Sequence, residues 1–412
     1  MPWRVGGERR GYCGKVHVAV SMLFPPVDPN ERFRERRAAA RRRKRLRRGA
    51  AVSAVLAGVA LLSIGAQFVS TSGSPTETVE SNPVAATLPG GARALPVEIR
   101  GVHVTMGLAS LPGKLEEYLD LESDGLTALE LDVKDENGQI GFRSPGMPLA
   151  AKVGATRDYY SARAVARLAH ERDIYLIGRV VVFEDPILSR ARRDLAIQWP
   201  DGSVWRDSAG LGWTNPYDGR VWDYNVDVAV AAARAGFDEI MFDYVRFPSD
   251  GDVDSAVYRN RGALSKHEAI PAFLRYAAGR LERHGVRISA AVFGLSASRD
   301  LGIGQLPRRM APHLDGLYAM TYPSLFARGE LGIAEPSAAP GETVARALRR
   351  FAIRLRGTQV LVVPWVQDFS FTTPFELEQV RAQIDAARRA GAKGFMLWNA
   401  EGVYTDGALA AP

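Results

Sequence analysis

The chain runs to 412 residues, 46% hydrophobic and 24% charged, which is enough for one large domain or two ordinary ones with appendages. Its net charge of +7 is gathered at one end: residues 1–48 carry 15 Lys and Arg against 4 acids, a net of +11, which leaves −4 for everything after Arg48. The basic balance therefore does not argue for a nucleic-acid-binding core, and the single cysteine, Cys13, lies in the same tail, so the folded part holds no disulfide.

Residues 1–33 mix Gly, Pro and charge without periodicity, the pattern of a disordered segment, and the basic tail as a whole is taken as residues 1–48. The run Arg41 to Arg48 leads directly into 49–69, an uncharged apolar stretch of 21 residues. As a helix it would span roughly 31 Å, about the thickness of a bilayer core. A cationic flank before such a run predicts a single-pass membrane anchor with the N-terminus in the cytoplasm and the rest of the chain outside. Two readings compete with it. One is a cleaved signal segment, with Ser63-Ile64-Gly65 as a loose small-x-small site and secretion as the outcome; the other is a nucleic-acid-binding tail, which leaves the apolar run unexplained. Residues 70–97, rich in Ser, Thr, Pro, Gly and Ala, predict a flexible linker.

From residue 98 to 412, apolar runs alternate with amphipathic stretches. Strands are predicted over Ile99–Thr105, Ala128–Val133, Ile174–Phe183, Glu239–Tyr244, Arg287–Phe293, Gly316–Thr321, Gln359–Val366 and Gly394–Trp398. Helices are predicted over Tyr160–Glu171, Val221–Ala235, Ser265–His284, Thr343–Arg356 and Pro374–Ala390. Gly236, Gly285 and Gly391 fall where helices hand over to strands, the position that favours left-handed glycine. Eight such units make an α/β fold of the (β/α)₈ TIM-barrel type; a doubly wound open sheet is the alternative.

A barrel builds its chemistry at the C-terminal ends of its strands. The fourth strand runs into Asp243, Tyr244 and Arg246, and Pro248 ends any regular element there. Read as chemistry, Arg246 keeps Asp243 ionised; read as architecture, the two are a structural ion pair. Alternation along strand two places Glu130, Asp132 and Lys134 on one polar face at the mouth. Further acids close strand three (Glu184, Asp185), strand seven (Asp368) and strand eight (Glu401, beside Asn399).

Paired carboxylates beside aromatic rings are what glycoside hydrolysis requires: one group protonates the leaving oxygen, and the other attacks or activates water. Tyr244, Tyr322, Trp365 and Trp398 stand at strand ends, where stacking on a sugar competes with packing on the barrel core. The long stretch 197–217 adds Trp199, Trp205 and Trp213 on the mouth side; its competing reading is a small hairpin turning at Asp201-Gly202. The six His show no pair at ligand spacing, and His103 reads first as a satisfied barrel histidine, so neither metal nor cofactor is expected. No Gly-x-Ser-x-Gly elbow or phosphate-binding glycine loop occurs, which disfavours serine-hydrolase and nucleotide chemistry.

Seven motifs carry a family resemblance in order: Leu131-Asp132-Val133-Lys134-Asp135, Arg179 to Phe183, Trp213-Thr214-Asn215-Pro216-Tyr217, Phe242 to Pro248, Met320 to Ser324, Pro364 to Phe369, and Leu397-Trp398-Asn399-Ala400. Together they resemble the glycosyl hydrolase domain family DUF4015 over nearly all of residues 99–405. The resemblance implies a TIM barrel distantly similar to α-amylase-like glycosidases, often secreted or membrane-tethered in bacteria. It implies a nucleophilic Asp at the end of strand four, matched by Asp243, and an acidic Glu at the end of strand five. Here strand five ends Ala291-Val292-Phe293-Gly294-Leu295, with no acid. Asp368 is the substitute expected for the proton donor, with Asp132 and Glu401 behind it. Relatives read Tyr-Pro-Ser-His where this chain has Tyr322-Pro323-Ser324-Leu325.

The expectation is thus a membrane-anchored, extracytoplasmic barrel hydrolysing a cell-surface or extracellular polysaccharide or oligosaccharide. Asp243, Asp368, Asp132 and Glu401 are its catalytic candidates. Tyr244, Arg246, Tyr322, Trp365, Trp398, Asn399, Lys134 and Trp213 are its substrate-binding candidates. The rivals are a non-catalytic carbohydrate-binding or envelope module on the same scaffold, and a barrel enzyme of another reaction class such as a lyase or deacetylase.

Overall fold

A computed structural model describes residues 93–371 and 373–411. The expectations placed on 1–48, 49–69 and most of 70–97 lie outside the described residues. Among the described residues no helix is long and apolar enough to cross a membrane.

Eight parallel strands close into a barrel in sequence order. They are β1 (Ile99–Val104), β2 (Ala128–Lys134), β3 (Tyr175–Val181), β4 (Glu239–Asp243), β5 (Arg287–Phe293), β6 (Gly316–Met320), β7 (Leu361–Gln367) and β8 (Gly394–Trp398). Pairing of Ile99 with Gly394 through to Val102 with Leu397 joins the last strand to the first, which rules out the open sheet. Only glycine fits at that seam, because a Cβ on Gly394 would stand 2.0 Å from the Ile99 carbonyl oxygen.

The long helices of the outer ring are α1 (Ala162–His170), α2 (Gly219–Ala235), α3 (Lys266–Leu281), α4 (Pro340–Arg354) and α5 (Leu377–Arg389). The first and fifth units use shorter pieces, Lys114–Leu119 and Pro307–Met310. Gly236, Gly285 and Gly391 all take positive φ at the helix-to-strand turns.

The barrel interior is packed in layers. Its core cluster includes Ile177, Met241, Ala291, Tyr318, Val363, Trp365 and Met396, drawn from six of the eight strands. One carboxylate sits at the floor: Glu239, at the start of β4, is buried and takes hydrogen bonds from Ser289 Oγ (2.5 Å) and Tyr175 OH (3.1 Å). Burial raises its pKa, with the surrounding hydroxyls opposing the shift. A buried parallel strand therefore does tolerate an acid at its N-terminal end, provided hydroxyls are aimed at it.

Candidate active site

The polar residues of β1 to β4 converge on one network. His103 from β1 places Nδ1 2.5 Å from Glu130 Oε2 of β2, and its Nε2 lies 3.7 Å from Asp132 Oδ2. Arg179 from β3 reaches Asp132 Oδ1 at 2.7 Å through Nη1 and Asp243 Oδ2 at 2.8 Å through Nε and Nη2. The same guanidinium lies 3.5 Å from Glu136 Oε2. One planar cation thus ties the ends of β2 and β4 together. Through that shared cation the nearest oxygens of Asp132 and Asp243 are held no more than roughly 8 Å apart.

Burial works against the charge on Arg179, but Asp243 and Asp132 outweigh it, and its pKa rises. Burial likewise disfavours a charged His103, and Asp132 and Glu130 reverse that, raising its pKa. Glu130 is pushed up by burial, with His103 opposing. Buried side by side at 2.5 Å, the acid and the imidazole each favour the charged form of the other. Tyr404 OH holds the His103 backbone through both its N–H (3.0 Å) and its carbonyl oxygen (2.5 Å).

Strand β2 departs from simple alternation. A register shift lies between Asp132, which pairs with Arg179, and Lys134, which pairs with Val180. Lys134 is consequently carried to the helix layer, fully buried. Its Nζ donates to Val181 O (2.8 Å), Val182 O (3.2 Å) and Asn225 Oδ1 (2.9 Å), and it stands 2.9 Å from Asp185 Oδ2. The expectation that Lys134 lines the mouth is corrected: a bulge reverses every side chain after it. The ladder ends at Lys134; its shifted register, continued by one residue, would set Asp135 level with Val181, whose partner on β4 is Asp243. The Asp135 carboxyl is raised to about 7 by burial, then by the charges of Glu136 and Asp132. Within its own turn it accepts Gln139 N–H on Oδ1 at 2.7 Å and the Asn137 side-chain amide on Oδ2 at 3.3 Å.

Arg246 is not the partner of Asp243. Tyr244 takes a left-handed backbone (φ 48°), its N–H donates to Asp243 Oδ1 (2.7 Å), and the chain turns away. The Arg246 guanidinium lies over the rings of Trp213, Tyr244 and Phe293, each about 5 Å from it, and donates to Phe247 O and Ser249 Oγ. Trp213, expected at a sugar, is fully buried, with its Nε1 donating to Asp207 Oδ2 at 2.9 Å. The Trp-bearing stretch is the small hairpin of the competing reading: Gln198 bridges Val204, Gly202 turns at φ 85°, and Asp201 Oδ1 accepts the Ser203 N–H and hydroxyl. Its tryptophans support Arg246 and the β3–β4 side of the mouth; Glu184, buried beside them, is held well above the usual carboxylate range by burial and by Asp207, with Arg246 opposing.

On the opposite side, Tyr322, Phe369 and Trp398 form an aromatic wall. The Tyr322 and Trp398 rings lie 5.5 Å apart at 34°, and Phe369 meets Trp398 edge-on at 5.3 Å. Burial, and then the charge of Asp243, push the Tyr322 hydroxyl well above its ordinary pKa, so it stays a neutral donor near that carboxylate. Trp398 is half-buried, whereas Trp365 is 4% exposed and packs below, edge-on to His103 at 6.3 Å. Asp368 is also buried, and both its oxygens are taken by Thr405, through N–H (2.8 Å) and Oγ1 (2.5 Å). Burial raises its pKa and those bonds oppose the rise. Asn399 donates to Asp368 O and accepts from Glu401 N–H, so Asp368, Asn399 and Glu401 together fasten the segment after β8. Among the described residues no hydrogen bond or ion pair joins Asp368 to Arg179 or Asp243.

The residues that sequence reasoning did not name as site members are Arg179, Asp135 and Glu136. Arg179 alternates inward on a strand read as uniformly apolar, and a lone charge in such a run is the signal that identifies it.

A closed (β/α)₈ barrel whose mouth gathers Asp132, Glu136 and Asp243 around one arginine, next to an aromatic wall, has the architecture and residue types of a carbohydrate-active barrel. The chain belongs to the family described as "Putative glycosyl hydrolase domain" (DUF4015), which it matches over residues 101–404. Among solved structures it is similar to a hypothetical protein from Ruminiclostridium thermocellum ATCC 27405 (36% identity, TM-score 0.43, 46% of this chain and 96% of that one). It is also similar to the PgaB (BpsB) glycoside hydrolase domain from Bordetella bronchiseptica (14% identity, TM-score 0.54, 74% and 95%), a likeness of fold. A third is the chitobiase of Flavobacterium johnsoniae (13% identity, TM-score 0.49, 75% and 47%). No curated protein matches the chain.

Proposed function

We propose that this chain hydrolyses glycosidic bonds in a cell-surface or extracellular polysaccharide, with Asp243 as nucleophile or base and Asp135 as proton donor. The observation that carries the reading is the contrast between the two groups. Asp243 is partly open to solvent and held by Arg179, whereas Asp135, one residue beyond the β2 ladder, titrates near neutrality. A carboxyl that keeps its proton near neutrality suits the acid role of glycoside hydrolysis, and a solvent-accessible carboxyl at the mouth suits the base or nucleophile role.

The steps follow from the contacts. Arg179 fixes the orientation of Asp243 through one oxygen, and Tyr244 N–H holds the other. The anion attacks the anomeric carbon, or takes a proton from the attacking water. Asp135 gives its proton to the leaving oxygen as the C–O bond breaks. Trp398 offers its half-buried ring to the sugar, with Tyr322 packed behind it. Asp368 is read as an anchor of the segment after β8, to which its carboxyl is tied through Thr405 and its carbonyl oxygen through Asn399.

The chain is further proposed to be tethered by 49–69, with the barrel outside the membrane, on the strength of the cationic flank and the apolar run. Protease treatment of intact cells tests this: loss of the barrel supports it, and full protection contradicts it. The catalytic proposal is tested by reducing ends released from a panel of bacterial-envelope and plant polysaccharides by wild type and Asp243→Asn. Release by the wild type alone supports it. Binding of a polymer without release favours the non-catalytic module.

A further inference from the structure

The loops after β5 and β6 enclose a cavity of about 40 Å³ lined by Phe293, Leu295, Leu301, Met320, Leu325 and Phe326, with Arg299 and Glu330 at its edge. Phe293 and Met320 are the last residues of their strands. Met320 and Leu325 pack against the cluster that contains Tyr322 and also borders Trp398, and the Phe293 ring lies under Arg246 beside Tyr244. The cavity therefore adjoins the wall assigned to the sugar. Its closeness depends on Gly294, where a Cβ would stand 2.4 Å from Met320 O and 2.8 Å from Phe326 Cζ.

Size and lining select the occupant. A water needs roughly 10–15 Å³ of such space, so this cavity admits a group of two or three non-hydrogen atoms and excludes a pyranose ring. Four of its apolar side chains, Phe293, Leu295, Met320 and Leu325, are only half-buried, so the cavity presents apolar surface that a methyl group would cover. At the edge Arg299 is paired with Glu330 through Nη2 at 2.7 Å, and the rest of its guanidinium can donate to a carbonyl oxygen. A methyl beside a carbonyl is an acetyl group.

We propose that this cavity is an acyl subsite and that the substrate carries an acetyl substituent, as an ester or an amide, on the sugar bound at the mouth. The proposal rests on the glycosidase reading only for where the sugar ring lies. Its test reads binding, so that loss of one reading does not carry the other with it.

The full chain carrying Asp243→Asn is titrated calorimetrically with two matched pairs of probes. O-acetylated xylan oligosaccharides against the same material after alkaline deacetylation report the ester. N-acetyl against N-formyl chitooligosaccharides report the amide, differing by the methyl group alone. The expected result is at least about tenfold tighter binding of the acetylated member of one pair, the discrimination that one small group in an apolar pocket supplies. Ala327 also lines the cavity, and Ala327→Leu, which fills it, is expected to abolish that preference while leaving affinity for the other member unchanged; Leu325→Asp, which makes it polar, is expected to abolish the preference as well. Equal affinity within both pairs, binding of none of the probes, or a preference that survives both variants overturns the subsite. Acetyl-dependent binding by a chain whose wild type releases no sugar would retain the subsite and discard the hydrolase.

Discussion

Replacing Asp135 by Asn removes a titrating proton while keeping the side-chain oxygen that accepts Gln139 N–H. The carboxyl is raised from 3.8 to about 7, first by burial and then by Glu136 and Asp132. A folded-state pKa above the unfolded value gives a contribution that is fully present below about pH 4 and is lost as the pH rises through 7. A rise of that size corresponds to at most about 4 kcal/mol, and because Asp135 is partly open to water a realistic share is roughly 1–2 kcal/mol. Asp135→Asn should therefore be more stable than the wild type at pH 8 by that amount, about 2–4 °C or somewhat more in Tm, with the gain shrinking toward pH 4. In activity the opposite is expected: kcat on unactivated glycosides falls by about 10²–10⁴, and the basic limb near pH 7 disappears from the pH profile of the residual rate. Thermal unfolding at pH 4, 6 and 8 and initial rates over pH 4–9 provide both readouts. A variant that keeps the basic limb and a wild-type rate would refute the assignment of the proton donor.

Other substitutions separate the site from its scaffold. Arg179→Met leaves Asp132, Asp243 and Glu136 facing one another without their shared cation, and should cost about 3–5 kcal/mol in denaturant unfolding. Trp398→Ala should raise KM about 3–10-fold with little change in Tm, since its half-buried ring forms the outer part of the wall. Trp213→Leu should instead lower Tm by several degrees, because it strips the buried face on which Arg246 lies and leaves the Asp207 carboxylate without its indole donor.

Much of the barrel is legible in the sequence because each strand is a short apolar run bounded by helix-ending glycines or strand-end acids. β5 and β8 are predicted to the residue, and most other boundaries shift by one or two positions where the hydrogen-bonded ladder ends before the apolar run does. What alternation cannot supply is the bulge in β2. It sends Lys134 outward and, continued by one residue, would return Asp135 inward, so that the residue chosen for the mouth and the residue passed over would exchange places. Proximity in sequence misleads at β4 in the same way. Arg246 is three residues from Asp243, but the left-handed turn at Tyr244 separates them, and the cation that meets Asp243 comes from the neighbouring strand. The tryptophans of 197–217 suggest an exposed sugar platform by composition alone. Two of them, Trp205 and Trp213, are fully buried, and their indole N–H groups find Asp252 O in the segment after β4 and Asp207 Oδ2 within the stretch itself.

The central claim is that Asp243 is a reacting group whose own carboxylate serves chemistry more than folding. Its most direct test is the release of reducing ends by the full chain and by Asp243→Asn, on a polysaccharide the wild type cleaves, with Tm measured on the same samples. The variant is expected to lose at least about 10³-fold in rate while its Tm stays within a few degrees. A variant that cleaves at the wild-type rate, or one that loses activity only because it no longer folds, would contradict the claim.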